Sequence, residues 1–192
     1  PSFSKWEQGL KDYGGSDNLI NEVFQDANDL GNIFGLNVEK QHKSSELLEI
    51  HKSLKNKKVG RIQTSKGCVA KCTFCQRATK GYRVFGHNHM EARIIELKEK
   101  YNVGVLLVDD ENFGSNRLQA RECAKLMKKH GIYWSSQGAR AASINVEDLK
   151  FYKQNNLLAI RYGIESGSQT ILDIMEKKTT THQVYEQIEA CT

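Results

Sequence analysis

From residue 59 onward the apolar positions alternate between a strand period and a helix period. Arg61–Ser65 reads as a short strand running into Lys66-Gly67-Cys68, followed by a cysteine loop and a Gly-rich turn around Gly81 and Gly86. A helix is expected next: Asn88 with Glu91 has the spacing of a capping box, and Ile94, Ile95 and Leu97 supply an apolar face. Val103–Val108 is a near-continuous apolar run, the pattern of a strand covered on both faces. Ser115–His130 is predicted as a helix with Leu118, Cys123, Leu126 and Met127 inward and Gly131 terminating it. Ile132–Ser136 is a third strand. Asn145 with Asp148 opens another helix through Leu149 and Tyr152, and Leu157–Ile164 is a fourth strand. Ser168 is placed to cap a helix bearing Ile171, Leu172 and Met175, and Thr181 starts one more with Val184 and Ile188. Strands separated by helices imply an α/β fold with a parallel sheet.

Residues 1–58 read differently. Leu19, Ile20, Val23 and Phe24, then Leu30, Ile33 and Phe34, form a broken helical stripe, and Ser45 could cap a second helix carrying Leu47, Leu48, Ile50 and Leu54. Lys52–Lys58 is a solvated connector. The expected organisation is a helical N-terminal extension over 1–58 and a core over 59–192.

Composition narrows the class. The chain has 192 residues, 39% hydrophobic and 27% charged, as in ordinary globular proteins. It has no apolar run of membrane-spanning length and no apolar segment of secretory type at its start. The first residue is Pro, so a processed chain or a fragment is expected. The net charge of +5 falls on the second part: residues 1–58 hold eight Lys against nine acidic residues. Between Val59 and Met90, Arg61, Lys66, Lys71, Arg77, Lys80 and Arg83 occur with no acid among them. That segment is either a solvated face or one that meets anions. Five cysteines, three of them crowded, do not make a secreted disulfide framework, and a reducing cytoplasm with metal-ligating thiols is the better reading.

The crowded three are Cys68, Cys72 and Cys75, spaced Cys-x3-Cys-x2-Cys. Three thiolates on one short loop can converge on one face of a cuboidal iron–sulfur cluster. One iron of a 4Fe–4S cluster would then have no protein ligand, where electron-transfer clusters place a fourth Cys. An open position invites a substrate or cofactor. The competing reading is a zinc site completed by His87 or His89, in a zinc- or cluster-stabilised binding module without catalysis. Cys123 fits core packing at its helical spacing with Leu126 and Met127.

Cys68, Cys72 and Cys75, with Phe74 before the last of them, resemble the signature of the radical S-adenosylmethionine superfamily. The resemblance implies a 4Fe–4S cluster whose open iron takes the amino and carboxylate groups of S-adenosylmethionine, with Phe74 beside the adenine. It also implies cleavage of that cofactor to a 5′-deoxyadenosyl radical that attacks a substrate C–H bond. A reductant such as flavodoxin or ferredoxin would supply the electron. Asp109-Asp110-Glu111-Asn112-Phe113 resembles an acidic strand-end motif of the cobalamin-associated branch, where Asp110 or Glu111 would meet the cofactor's amino group. Arg161-Tyr162-Gly163-Ile164-Glu165-Ser166-Gly167-Ser168-Gln169 resembles the family's fourth-strand ending, which assigns Glu165 and Ser166 to the ribose and methionine portion. Gln137 and Arg140 match a third-strand ending that faces the site, with Arg140 a candidate for the cofactor's carboxylate.

The implied architecture is a partial (β/α) barrel of this type, of which four βα units stand in this chain where six are usual. A fragment is therefore expected, with an exposed edge on its last strand and poor solubility in isolation. Cobalamin would be held by a domain outside this chain. Methylation and methylthiolation are the candidate outcomes, and RNA, a phosphorylated sugar or a lipid precursor the candidate substrates. Fold analogy selects none of them.

Overall fold

The computed structural model describes residue 50, residues 52–76 and residues 81–191. The first expected helix, the start of the second and the basic residues Arg77 and Lys80 lie outside the described residues, and the end of the second is helical at residues 50, 52 and 53. The chain divides into two units, and the second, Asn56–Thr192, carries all the strands described here.

Four strands form its parallel sheet: β1 (Lys58–Ile62), β4 (Val103–Val108), β5 (Tyr133–Ala139) and β6 (Leu157–Tyr162), in the spatial order β1-β4-β5-β6. The connecting helices are α1 (His87–Tyr101), α2 (Arg117–Lys129) and α3 (Val146–Gln154). After β6 come a short helix α4 (Gln169–Ile174) and α5 (Thr181–Cys191). This is the α/β alternation that the apolar periods predict. β4 behaves as its sequence demands, with Val103, Leu106 and Val108 buried. Below the sheet, Phe113, Trp134 and Tyr152 meet with ring centroids 5.3, 5.5 and 5.8 Å apart, in tilted and edge-on contacts that suit aromatic quadrupoles. Trp134 donates its indole N–H to the Asn155 carbonyl at 2.7 Å, so its one polar atom is satisfied.

Caps set several boundaries. Asn116 and Asn145 accept from the backbone N–H groups of Gln119 and Asp148 at 3.1 and 2.7 Å, starting α2 and α3. Gly131 has φ +65° just after α2, a left-handed stop that glycine adopts without steric cost. Asp148, buried, is held by Arg117 at 2.8 Å and Arg121 at 2.6 Å, which ties α2 to α3.

Some local expectations are corrected. The first strand lies at Lys58–Ile62 rather than Arg61–Ser65, because Thr64 and Ser65 turn away to follow a buried carboxylate, Asp110. Ser65–Gly67 is then a separate short strand, β2, paired antiparallel with β3 (Tyr82–Val84). The helix α1 starts on Gly86 without a side-chain cap, because Glu91 bonds Lys129 and His130 of the neighbouring helix end instead. Leu118 points outward, 78% exposed, since the buried stripe of α2 runs through Ala120, Cys123, Ala124, Leu126 and Met127. Ser168 stands at the N-cap of α4 without a side-chain bond, and Ile171 and Ile188 are exposed where Leu172 and Val184 are buried.

Candidate functional site

The chemistry gathers where the four parallel strands end, the position at which α/β sheets build sites. β1 leads through Thr64 into β2 and the cysteine loop. The β2–β3 hairpin closes the base of that loop, with Ser65 opposite Val84 and Gly67 opposite Tyr82, and the Cys68 N–H bonds the Gly81 carbonyl at 3.1 Å. Within the loop, the Cys75 N–H bonds the Cys72 carbonyl at 3.2 Å. The Ala70 N–H points at Cys68 Sγ, 3.4 Å away, the kind of donor that steadies a ligating thiolate. From the far side, Thr73 donates its N–H to the Met175 carbonyl at 2.9 Å, so the end of α4 also holds the loop.

Cys68, Cys72 and Cys75 are free thiols lining a single cavity of about 260 Å³. Phe74, Glu111, Gln137, Arg140 and Glu165 line the same cavity, so the structure gathers most of the residues singled out in the sequence. Glu111 accepts the Gly67 N–H at 3.1 Å, which ties the end of β4 to the hairpin. β5 meets the continuation of β4 closely: the Phe113 N–H bonds the Gly138 carbonyl at 2.9 Å, and a Cβ on Gly138 would stand 2.9 Å from the Asp110 carbonyl oxygen. Only glycine allows that approach.

Asp110 and Ser166 are placed elsewhere. The Asp110 carboxylate is buried and accepts from the Thr64 N–H at 2.7 Å, the Thr64 hydroxyl at 2.6 Å, the Ser65 N–H at 3.1 Å and the Ser65 hydroxyl at 2.7 Å. Its acceptor capacity is taken up in fixing the link from β1 to β2, so of the two adjacent carboxylates Glu111 is the one that faces the cavity. Ser166 turns its hydroxyl to the Ser168 N–H at 3.1 Å. His87 and His89 do not line the cavity: His87 faces Glu91, and His89 stacks on Phe85 with centroids 5.2 Å apart. Among the described residues no three His, Cys, Asp or Glu side chains are gathered for a single ion. Thiolates on one zinc at ~2.3 Å must crowd together, whereas a cuboidal cluster spaces its ligands across several irons.

Lys177 also lines the cavity, close to Arg140. Lys177 is buried, 5% exposed, with Nζ 2.9 Å from Glu165 Oε1 and 5.5 Å from the centroid of the Phe74 ring. Sequence reading missed it, because a Lys-Lys pair after a helix looks like solvated surface. Arg140 donates through Nη2 to the carbonyls of Lys177 and Lys178, the latter at 2.9 Å, while its Nε is buried without a partner among the described residues. An unmet guanidinium N–H beside a cavity calls for an acceptor, which an anionic ligand group would supply. Three free thiols, a thiol-directed amide, an exposed aromatic ring and an orphaned Arg donor fit a thiolate-held cluster with a carboxylate-bearing cofactor.

Residues 62–192 match the family model described as the Radical SAM superfamily. Cytidylyl-2-hydroxyethylphosphonate methyltransferase of Streptomyces wedmorensis is 27% identical over 63% of this chain and 23% of its own length. An uncharacterized methyltransferase of Pyrococcus horikoshii is 28% identical over 68% of the chain and 29% of its own. Anaerobic magnesium-protoporphyrin IX monomethyl ester cyclase of Cereibacter sphaeroides is 29% identical over 65% of the chain and 21% of its own. The chain thus spans about a quarter of the length of these curated relatives. In fold it is similar to the radical S-adenosylmethionine methyltransferase TsrM of Kitasatospora setae, solved with cobalamin and a [4Fe-4S] cluster bound. That likeness has a TM-score of 0.57 at 13% identity, over 73% of this chain and 30% of that one. The family match runs from the end of β1 through every strand and helix described after it, and on that extent the chain belongs to the radical SAM superfamily.

Proposed function

We propose that this chain holds a 4Fe–4S cluster on Cys68, Cys72 and Cys75 and uses S-adenosylmethionine to activate a substrate C–H bond. The observation that carries the reading is the convergence of three free thiols on one cavity with Phe74, Glu111, Gln137, Arg140 and Glu165. When bound, the cluster supplies the electron that cleaves the sulfonium C–S bond to give methionine and a 5′-deoxyadenosyl radical. The protein's part is to hold and orient. The three thiolates would bind three irons and leave the fourth open to the cofactor. The Ala70 N–H steadies Cys68, and the Phe74 ring, 46% exposed, offers a face for a flat base. Glu111 stands where an ammonium would be received, and Arg140 Nε where a carboxylate would. Glu165, with φ +66° in the left-handed region that glycine usually occupies, presents its carboxylate to the cavity wall beside Gly163.

The names of two curated relatives favour methyl transfer as the outcome, and the TsrM likeness favours cobalamin as the methyl carrier, held by residues outside the matched segment. The electron comes from a small reductant protein such as flavodoxin or ferredoxin. The test is anaerobic reconstitution with iron and sulfide, followed by EPR of the dithionite-reduced protein. A 4Fe–4S signal that changes shape on adding S-adenosylmethionine, and is lost in Cys72→Ala, is expected. Bound zinc, or a cluster indifferent to S-adenosylmethionine, would overturn the reading.

A further inference from the structure

Lys177 is held in place at some conformational expense. Its neighbours Glu176 and Lys178 both have positive φ, +50° and +53°, a region that L side chains rarely enter. Such backbone persists only where surrounding contacts over-determine it, and here they do. Arg140 donates to the carbonyls of Lys177 and Lys178, and the Thr73 N–H bonds the Met175 carbonyl. The result is a strap, residues 175–179, lying against the cysteine loop. Its single buried cation stands over Phe74, in the middle of Cys72-Thr73-Phe74-Cys75. Burying an ammonium is costly unless it is compensated, and one carboxylate, Glu165, is its hydrogen-bonded partner. Gly163 is the clearance for that pair: a Cβ there would stand 2.8 Å from Glu165 Oε1 and 3.2 Å from Lys177 Nζ.

Resting on the function proposed above, we infer that Lys177 is a positioning residue of the cysteine loop whose charge sets how readily the cluster accepts its electron. One electron from an external reductant adds one negative charge to the cluster and its three thiolates, and no bond to Lys177 forms or breaks. Net charge and burial are the levers by which a protein tunes such a couple. Lys177, itself buried, lines the same cavity as all three thiols, so its field acts on them across that cavity. Glu165 opposes it from the same wall. The pair therefore makes a matched set of opposite charges, and the midpoint potential reports their balance.

The experiment is an EPR-monitored redox titration of the anaerobically reconstituted full chain, without S-adenosylmethionine. Wild type, Lys177→Met, Lys177→Arg and Glu165→Gln are compared, with iron and sulfide counted in each. Lys177→Met is expected to shift the midpoint downward, Lys177→Arg to stay near wild type, and Glu165→Gln to shift it upward. A merely structural role would not give opposite signs for the two halves of one ion pair. Midpoints equal to wild type in Lys177→Met and Glu165→Gln, at full cluster content, would overturn the inference and leave the proposed function standing. If Lys177→Met takes up no cluster, the sign of the shift in Glu165→Gln decides alone. Failure of the wild type itself to bind a cluster would sink the proposed function, and this inference with it.

Discussion

Asp110 and Glu111 are neighbours of one chemical type with opposite duties. Just past the end of β4, the Asp110 side chain turns into the fold and the Glu111 side chain into the cavity. Removing Asp110 leaves buried N–H and hydroxyl donors of Thr64 and Ser65 without partners, at roughly 1–3 kcal/mol for each unsatisfied group. Asp110→Ala is therefore expected to lower unfolding stability by about 3 kcal/mol or more in urea titrations. Glu111→Gln keeps an acceptor for the Gly67 N–H and should stay within about 0.5 kcal/mol of wild type, while weakening S-adenosylmethionine binding. Equal destabilisation by both would show that the assignment of roles is wrong. At this scale the sequence singled out the cysteines, Phe74, Gln137, Arg140 and Glu165 by motif spacing, and the structure brings them to one cavity. It could not say which carboxylate turns inward, and it hid Lys177, whose burial depends on contacts from β5 and the cysteine loop that no local pattern encodes.

Elements were legible where an apolar period ran for a turn or more. β4, α2 and α3 stand close to where their patterns put them, with Asn145 in the capping role its spacing foretold. The β2–β3 hairpin was not legible, since strands of three residues, Ser-Lys-Gly and Tyr-Arg-Val, are too short to carry a period, and what makes them strands is the pairing across the cysteine loop. The capping box expected at Asn88 fails for a tertiary reason. Glu91 is drawn to Lys129 at 2.6 Å and His130 at 2.9 Å, fastening α1 to the end of α2. Those two partners hold the Glu91 carboxyl well below its ordinary range, at about 2. The folded-state value is depressed, so the contribution of this contact is present above the unfolded value of about 4.3 and is lost as pH falls from there toward 2. The stability difference between wild type and Glu91→Gln should accordingly be steady from neutral pH down to about 5, fall steeply toward about 2 and vanish by about pH 1. Urea midpoints across that range measure it, and a difference undiminished between pH 5 and pH 2 would refute the assignment. A second element-scale contrast lies in the caps: Asn145→Ala should cost about 1 kcal/mol, whereas Ser168→Ala, with no side-chain bond to lose, should cost far less.

For the whole molecule the decisive feature is the sheet's outer strand. Parallel sheets are ordinarily covered on both faces and along their edges, and β6 departs from that pattern. Leu157 is buried against α3, but Leu158 is 39% exposed and Ala159 is exposed beside it. Among the described residues no strand pairs with the outer side of β6. Next to it runs a groove of about 660 Å³ lined by Leu149, Leu157, Leu158, Ile160 and Cys191, larger than the thiol-lined cavity but without its chemistry. No described helix is long and apolar enough to cross a membrane, so this apolar strip is not part of a helical span. A bare strand edge beside an apolar groove is a template for association, which natural proteins blunt with a charge. The chain studied alone should therefore self-associate as its concentration rises, and Leu158→Lys should raise the monomer fraction in sedimentation velocity. Leu158 lies outside the thiol-lined cavity, so iron uptake by the variant should match wild type. A wild-type chain that stays monomeric across the concentration series and melts in one sharp transition would mean that the edge is already protected, and the substitution would then change nothing.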